Sequence, residues 1–261
     1  MDGNKIINKG MKKTVSVVIC AYNEEKTVGL VLKKVRQLEF VDEIIIVDNG
    51  SMDNTYQVIL DAKENDARVK VIQVTKNKGL GYGLKSAIQN TTGDIVVRQD
   101  ADLEYDPFEL YSLVEQIENG NADVVYGSRM LVRKTHKVHY FYNYLANRVL
   151  SFLNNMVTNL FLSDIETAAK AFNGKILRSI NIVSNGFEIE NELTIKLKKI
   201  KCTFYEVPIS YYGRTFEEGK KIRAWDGFKA LYYIFFYKIS SCFMKIPKTS
   251  THTLSFKNEN N

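Results

Sequence analysis

Asp100-Ala101-Asp102 follows directly on the apolar run Asp94-Ile95-Val96-Val97-Arg98-Gln99, and Glu104 stands two residues further on. Carboxylates at i, i+2 and i+4 offer hard oxygen donors. They suit a divalent cation such as Mg²⁺ or Mn²⁺, which commonly shares its coordination with substrate phosphates. Asp-x-Asp alone is also an ordinary solvated turn. Its placement favours the metal reading, because ligands of open α/β sheets bind in the crevice outside the carboxyl ends of the strands. Asp100, Asp102 and Glu104 are therefore the candidate metal ligands.

Three other strand ends carry polar turns suited to a nucleotide: Ala21-Tyr22-Asn23-Glu24-Glu25, Asp48-Asn49-Gly50-Ser51-Met52-Asp53-Asn54-Thr55, and Lys76-Asn77-Lys78-Gly79-Leu80-Gly81-Tyr82-Gly83. Each has a plainer reading: Asp53 or Asn54 caps a helix and Gly50 supplies a turn. Four such turns along one edge are harder to dismiss, and the edge that carries Tyr22, Asn23, Glu24, Asp48, Lys78 and Asp100 suits a nucleotide. Gly79-Leu80-Gly81-Tyr82-Gly83 is not a dinucleotide fingerprint, which needs Gly-x-Gly-x-x-Gly directly after the first strand. There is no Gly-Lys-Ser/Thr phosphate loop either. Arg129 and Arg214 are candidates for phosphate contact, since a guanidinium presents paired donors to phosphate oxygens.

The elements that must position these groups alternate in the βα manner. Strands are expected at Thr14–Cys20, Glu43–Val47, Val69–Val74, Asp94–Gln99 and Asp123–Tyr126, with helices at Lys26–Leu38, Thr55–Ala62, Gly83–Gln89 and Pro107–Glu118. Such alternation argues an α/β fold with a mainly parallel sheet covered on both faces. The second half changes character: a long helix at Tyr140–Leu160, a strand at Thr167–Phe172, a helix at Phe187–Lys199, and strands at Thr203–Val207 and Ile209–Tyr212 broken by Pro208.

At 261 residues and net charge +6, the chain suits a single α/β domain with an affinity for anionic ligands or surfaces. No basic-aromatic run resembles a nucleic-acid signature. Cys20, Cys202 and Cys242 have no paired spacing, so they read as reduced thiols. His136, His139 and His252 lack metal-ligand partners. Residues 1–13 form a polar, flexible start without a signal-like apolar core, residues 14–226 the α/β domain, and residues 247–261 a flexible tail. Residues 227–246 hold Leu231-Tyr232-Tyr233-Ile234-Phe235-Phe236-Tyr237, but lysines interrupt them, so they do not span a bilayer. They read either as an amphipathic aromatic helix in the membrane interface or as a helix packed on the domain.

Five stretches together resemble the inverting glycosyltransferases of family 2, with the GT-A (Rossmann-like) fold, over about Val15 to Ala230. They are Val17–Glu25, Ile46–Thr55, Asp100–Glu104, Gly127-Ser128-Arg129 and Tyr211–Thr215. The branch most resembled is that of the dolichol-phosphate mannose or glucose synthase-like, polyprenyl-phosphate sugar transferases. The resemblance implies that Tyr22, Glu24 and Asp48 line a nucleoside pocket, with Asp100 near the ribose and diphosphate. Asp102 and Glu104 would hold the cation. Arg214 would close over the donor diphosphate with Lys220 or Lys221, on a loop hinged at Gly213 and Gly219. Arg129, with Arg133, would grip an acceptor phosphate. Asn49 departs from the second Asp of many relatives, and Glu104 from the Gln common in this branch. Arg133, Lys134, Lys137 and Lys201 also read as ordinary surface charges.

The acceptor decides whether a base is needed. A hydroxyl must lose its proton, whereas a phosphate monoester with a second pKa of about 6 is mostly dianionic at neutral pH. Asp164 or Glu166 would serve as that base, or would orient Arg129 or bind the acceptor; the second role is preferred. The expected activity is metal-dependent transfer of a hexose from a GDP- or UDP-linked sugar to a polyprenyl phosphate, peripherally at the cytoplasmic face of a membrane. Rivals are the same fold acting on a glycan or other hydroxyl, and a catalytically silent membrane adaptor. A sugar-1-phosphate nucleotidyltransferase is disfavoured, because Ala21-Tyr22-Asn23-Glu24 lacks its Gly-rich signature.

Overall fold

The structure, a computed structural model, describes residues 12–131, 141–214, 232–234 and 236–239. Arg133, Lys134, Lys137, His136, His139, His252, Cys242, Gly219, Lys220, Lys221, almost all of 1–13, the whole of 247–261 and most of 227–246 lie outside the described residues.

Runs of β-branched residues build a seven-stranded sheet. Its strands are β1 (Val15–Ala21), β2 (Glu43–Asp48), β3 (Val69–Gln73), β4 (Ile95–Asp100), β5 (Val124–Ser128), β6 (Lys170–Asn173) and β7 (Phe204–Pro208), in the order β3-β2-β1-β4-β6-β5-β7. Adjacent strands are parallel except for β6, which runs antiparallel to both β4 and β5. The chain leaves β1 toward β3 and returns to place β4 on the other side of β1. That reversal opens a crevice between the carboxyl ends of β1 and β4.

Helices α1 (Val28–Arg36), α2 (Thr55–Lys63), α3 (Leu80–Gln89), α4 (Leu110–Glu118), α5 (Phe141–Thr158), α6 (Gly174–Ser179) and α7 (Ile189–Lys199) complete the fold. Period-two alternation divides each strand between two cores. Val17, Ile19, Ile44, Ile46 and Val97 pack with residues of α1, α2 and α4, while Val18, Ile45, Val47, Val96 and Tyr126 pack with residues of α3, α6 and α7. Both faces are covered, as expected of a mainly parallel sheet.

Three details depart from the sequence reading. Ile209–Tyr212 is not a strand. Ile209 N still reaches the Ser128 carbonyl of β5 at 3.1 Å, but Ser210 N turns to Glu109 Oε2 at 2.6 Å and Tyr212 N to the Glu104 carbonyl at 2.9 Å. Pro208 instead ends β7, an edge strand, where its missing N–H costs no ladder bond. The short helix α6 was not foreseen; the Asn173 side chain caps it by accepting from Ile176 N. Helix α3 begins at Leu80, before Gly83.

That earlier start explains the glycine run. Gly79 has φ +94, and a Cβ there would lie 2.2 Å from the Asn185 carbonyl oxygen; at Gly81 it would lie 2.5 Å from that of Ser184. The glycines admit the 184–186 backbone against the helix start. Gly79→Ala is expected to destabilise the fold by about 2 kcal/mol, through both the positive φ and the backbone clash. Urea unfolding measures this, and an unchanged midpoint would show that the two segments separate freely.

Candidate active site

The loops after β1 and β2 are stitched together. Asn23 N donates to Ser51 Oγ at 2.9 Å, Met52 N to Asn23 Oδ1 at 2.8 Å, and Asn54 N to Glu25 Oε2 at 3.0 Å. Asn23 adopts φ 50 to allow this. Asp48 is buried and accepts from Ser51 N, fixing the turn that opens the pocket wall. Asp53 behaves as the plainer reading held, accepting from Thr55 N at the start of α2. Asn49 Nδ2 donates to the Gly79 carbonyl at 2.9 Å while its Oδ1 has no partner. Tyr22 is half-buried at the same edge. Lys78 is drawn aside, with its ammonium 4.5 Å from the centre of the Tyr82 ring.

Arg214 occupies the centre of the crevice. Its Nη1 and Nη2 reach Glu24 at 3.0 and 3.1 Å, Nη2 also reaches Asp102 Oδ2 at 2.9 Å, and Nε lies 3.5 Å from Glu104 Oε1. Glu104 also accepts from Arg214 N at 2.8 Å and from the Tyr211 hydroxyl at 2.7 Å, so it pins the 211–214 segment. Burial, with the charges of Asp100 and Glu104, pushes the Asp102 carboxyl up to about 7, and Arg214 opposes that rise. Glu24, Asp102 and Glu104 thus already share one cationic group.

Asp100 faces a different arginine. Residues two apart on a strand share a face, so Arg98 and Asp100 lie together, with Nη2 3.0 Å from Asp100 Oδ1. Arg98 continues to Glu190 of α7, which also binds the buried Lys170 ammonium of β6; Lys170 donates further to the Ile165 carbonyl at 2.9 Å. Two cations and two carboxylates therefore alternate through the interior in the order Asp100, Arg98, Glu190, Lys170. Sequence reasoning missed Arg98, Glu190 and Lys170 as site residues. The available signal was a charged residue inside an otherwise apolar strand.

On the far side of Tyr211, Asp164 is fully buried and grips Arg129: Nε to Oδ2 at 2.7 Å, Nη2 to Oδ1 at 2.8 Å, and Arg129 N to Oδ2 at 3.1 Å. Asn147 adds a fourth bond at 2.9 Å. Despite burial, the Arg129 guanidinium holds the Asp164 carboxyl below its usual range. Arg129 lies 4.9 Å from the Tyr211 ring centre, and its Nη1 makes no hydrogen bond among the described residues. Glu166 differs. Its Oε1 is buried without a partner, and burial, then the Glu190 charge, push its carboxyl up to about 7.

The structure brings Glu24, Asp102, Glu104 and Arg214 into direct contact. Asn23 and Asp48 shape the adjoining loops, and Arg129 with Asp164 forms a second cluster across Tyr211. Among the described residues, no three Asp, Glu, His or Cys side chains already stand as a metal cage. The donor chemistry nevertheless fits a divalent cation. Asp102 and Glu104 share a positive group, and Mg²⁺-type sites often need only one or two carboxylates beside substrate phosphates.

The family described as Glycosyl transferase family 2 matches residues 16–180. Methanococcus voltae UDP-N-acetylglucosamine–dolichyl-phosphate N-acetylglucosaminyltransferase is 29% identical over 245 residues, covering 87% of this chain and 97% of that protein. Pyrococcus furiosus dolichol-phosphate mannosyltransferase is 30% identical over 213 residues, covering 79% of this chain but 58% of that longer one. Among solved structures, Mycobacterium tuberculosis glucosyl-3-phosphoglycerate synthase superposes with a TM-score of 0.67 at 21% identity, covering 89% of this chain and 82% of that one. That likeness establishes a shared fold.

Two stability measurements check the buried charges. Glu190→Gln should cost about 3 kcal/mol, because it strands Arg98 and Lys170 without their shared anion; an unchanged urea midpoint would mean that water reaches them. Glu166 is raised in the fold, so its ionised form penalises the folded state. The penalty is absent below the ordinary carboxylate range and grows as pH rises through about 7. Glu166→Gln should therefore gain stability relative to wild type by about 2 kcal/mol between pH ~4 and pH ~8. A difference independent of pH would identify another group as the one titrating.

Proposed function

Given that the chain belongs to glycosyl transferase family 2 and is an enzyme of the GT-A fold, we propose that it transfers a hexose from a nucleotide-diphosphate sugar to a polyprenyl phosphate, with inversion and with Mg²⁺ or Mn²⁺ bound. The observation that carries this reading is the Arg129–Asp164 pair. Asp164 spends both oxygens on Arg129 and Asn147, which suits an orienting anion and not a proton acceptor. Arg129 keeps Nη1 for an anionic acceptor, and a dianionic phosphate needs no base. Two relatives whose names specify dolichyl or dolichol phosphate support the same acceptor class.

In this reading Tyr22, Asn23, Glu24 and Asp48 hold the nucleoside, and Asp100 is kept oriented by Arg98 beside the ribose and diphosphate. Asp102 and Glu104 would hold the cation, which when bound would neutralise charge on the departing nucleoside diphosphate. Arg214, with Lys220 of the residues beyond, binds diphosphate oxygens, and Lys78 joins them on leaving the Tyr82 ring. Arg129 aims the acceptor phosphate and relieves its repulsion from the donor. The enzyme works peripherally at the cytoplasmic face of a membrane. No helix among the described residues is long and apolar enough to cross one.

A second reading has a specific observation behind it. Glu166, with an unpartnered oxygen and a carboxyl near 7, has the properties of a general base for a hydroxyl acceptor.

The test is incubation with Mn²⁺, radiolabelled UDP- and GDP-sugars and a short-chain polyprenyl phosphate, followed by extraction of label into organic solvent. Lipid-linked label is expected, falling about 100-fold or more in Asp102→Ala and Arg214→Ala while Glu166→Gln retains most turnover. Transfer only to added glycans, lost in Glu166→Gln, would instead establish the hydroxyl-acceptor reading.

A further inference from the structure

Arg98, Lys170 and Glu190 are all buried behind the crevice. A buried ion pair adds little stability over apolar side chains of similar volume, so this arrangement calls for another reason. Glu190 spends both carboxylate oxygens, one on Arg98 and one on Lys170. Arg98 turns its other edge to Asp100, with Nε and Nη2 at 3.3 and 3.0 Å from Oδ1. Lys170 donates also to the Ile165 carbonyl at 2.9 Å and lies 4.4 Å from the centre of the Tyr126 ring. The Tyr126 hydroxyl meets Thr194 Oγ1 at 2.7 Å, and Thr194 Oγ1 donates to the Glu190 carbonyl at 2.7 Å. Glu190, Lys170, Tyr126 and Thr194 thus close a ring that fixes the Glu190 carboxylate from both ends.

From Glu190, contacts lead to both sides of the site. Through Arg98 they end on Asp100. Through Lys170 they end on the carbonyl of Ile165, the residue after Asp164. A parallel route runs through Asn191, next to Glu190 on α7, which pairs with Asn154 of α5 at 3.0 Å, while Asn147 of the same helix bonds Asp164 at 2.9 Å. Asp164 in turn grips Arg129. We propose that Glu190 and Lys170 are positioning residues for sugar transfer: they hold Asp100, through Arg98, and the Arg129–Asp164 cluster, through Ile165, at one fixed spacing. Close-packed interiors transmit displacement instead of absorbing it, and a shift of about 1 Å between reacting groups can cost about 100-fold in rate. The roles of Asp100 and Arg129 toward donor and acceptor rest on the reading above; the buried linkage between them does not.

Replacing the inner pair together separates positioning from stability. Glu190→Leu combined with Lys170→Met removes one charge of each sign and leaves Arg98 paired with Asp100, so melting should stay near that of wild type. Transfer kcat should nevertheless fall about tenfold or more. Calorimetry with Mn²⁺ and UDP or GDP should show the nucleotide held about tenfold more weakly, because the guanidinium that orients Asp100 has lost its own anchor. A folded double variant with wild-type kcat, KM and nucleotide affinity would overturn the proposal. If that variant does not fold, Glu190→Asp takes its place: it keeps the charge but shortens the arm by one methylene, so it cannot reach both cations. Its kcat and nucleotide affinity should fall in the same way, and unchanged values would overturn the proposal equally. Weakened nucleotide binding in the variants, with no lipid-linked sugar formed even by wild type, would uphold the hold on Asp100 and reject the lipid-phosphate acceptor.

Discussion

Carboxylates gathered in a partly dry crevice cannot all stay ionised unless cations are interleaved with them, and that constraint organises this enzyme. Glu24 comes from one stretch of chain and Asp100, Asp102 and Glu104 from another, yet they meet at one sheet edge. Two arginines make this tolerable in different ways. Arg98 projects from the sheet interior, is itself buried, and is tied through Glu190 to Lys170. It is a fixed part of the fold. Arg214 comes from the segment after β7 and reaches the same edge from outside, bonded to carboxylates that a divalent ion and a diphosphate would also seek. Breaking buried ion pairs is costly while exchanging partners at a crevice mouth is not, so the two arginines divide permanence from exchange.

Tyr211 joins the two halves of the site. Its hydroxyl bonds Glu104 on the Arg214 side, its ring lies beneath Arg129 on the other, and Tyr105 packs against it with ring centres 5.2 Å apart. Displacement of Arg214 therefore pulls on the residue that supports Arg129. One rigid aromatic sets the distance between the group proposed to bind the donor and the one proposed to bind the acceptor.

Much of this was legible in the chain because it obeys local rules. Strand alternation, the acids after β4 and the polar turns after β1 and β2 are short-range patterns, and the crevice follows from the switch in strand order. What escaped was non-local. Arg98 meets Glu190 across 92 residues, and Lys170 enters through an antiparallel strand inserted between β4 and β5. No period or motif encodes such a pairing. Gly79 and Gly81 sit in a turn that reads by type as suited to a nucleotide, whereas the structure packs them on the 184–185 backbone. Ile209–Tyr212 has strand-like composition, but Ser210 N and Tyr212 N go to Glu109 and Glu104 instead of a neighbouring strand. Helix α5 was legible as a long helix, but only the placement of Asn147 and Asn154 against Asp164 and Asn191 shows which side is inward.

The contact between Glu24 and Arg214 spans 190 residues. On a ribosome adding about 5–20 residues per second, Glu24 emerges roughly ten to forty seconds before its partner exists. Strands β1 to β4 can pair during that interval, leaving the edge acids hydrated and mutually repelling. Among the described residues, the Glu24–Arg214 pair closes after the Arg98–Glu190 and Arg129–Asp164 pairs, so the crevice is balanced late in synthesis. A nascent chain stalled before Arg214 would carry an assembled sheet with a negatively charged mouth, distinguishable from the finished enzyme by its avidity for free cations.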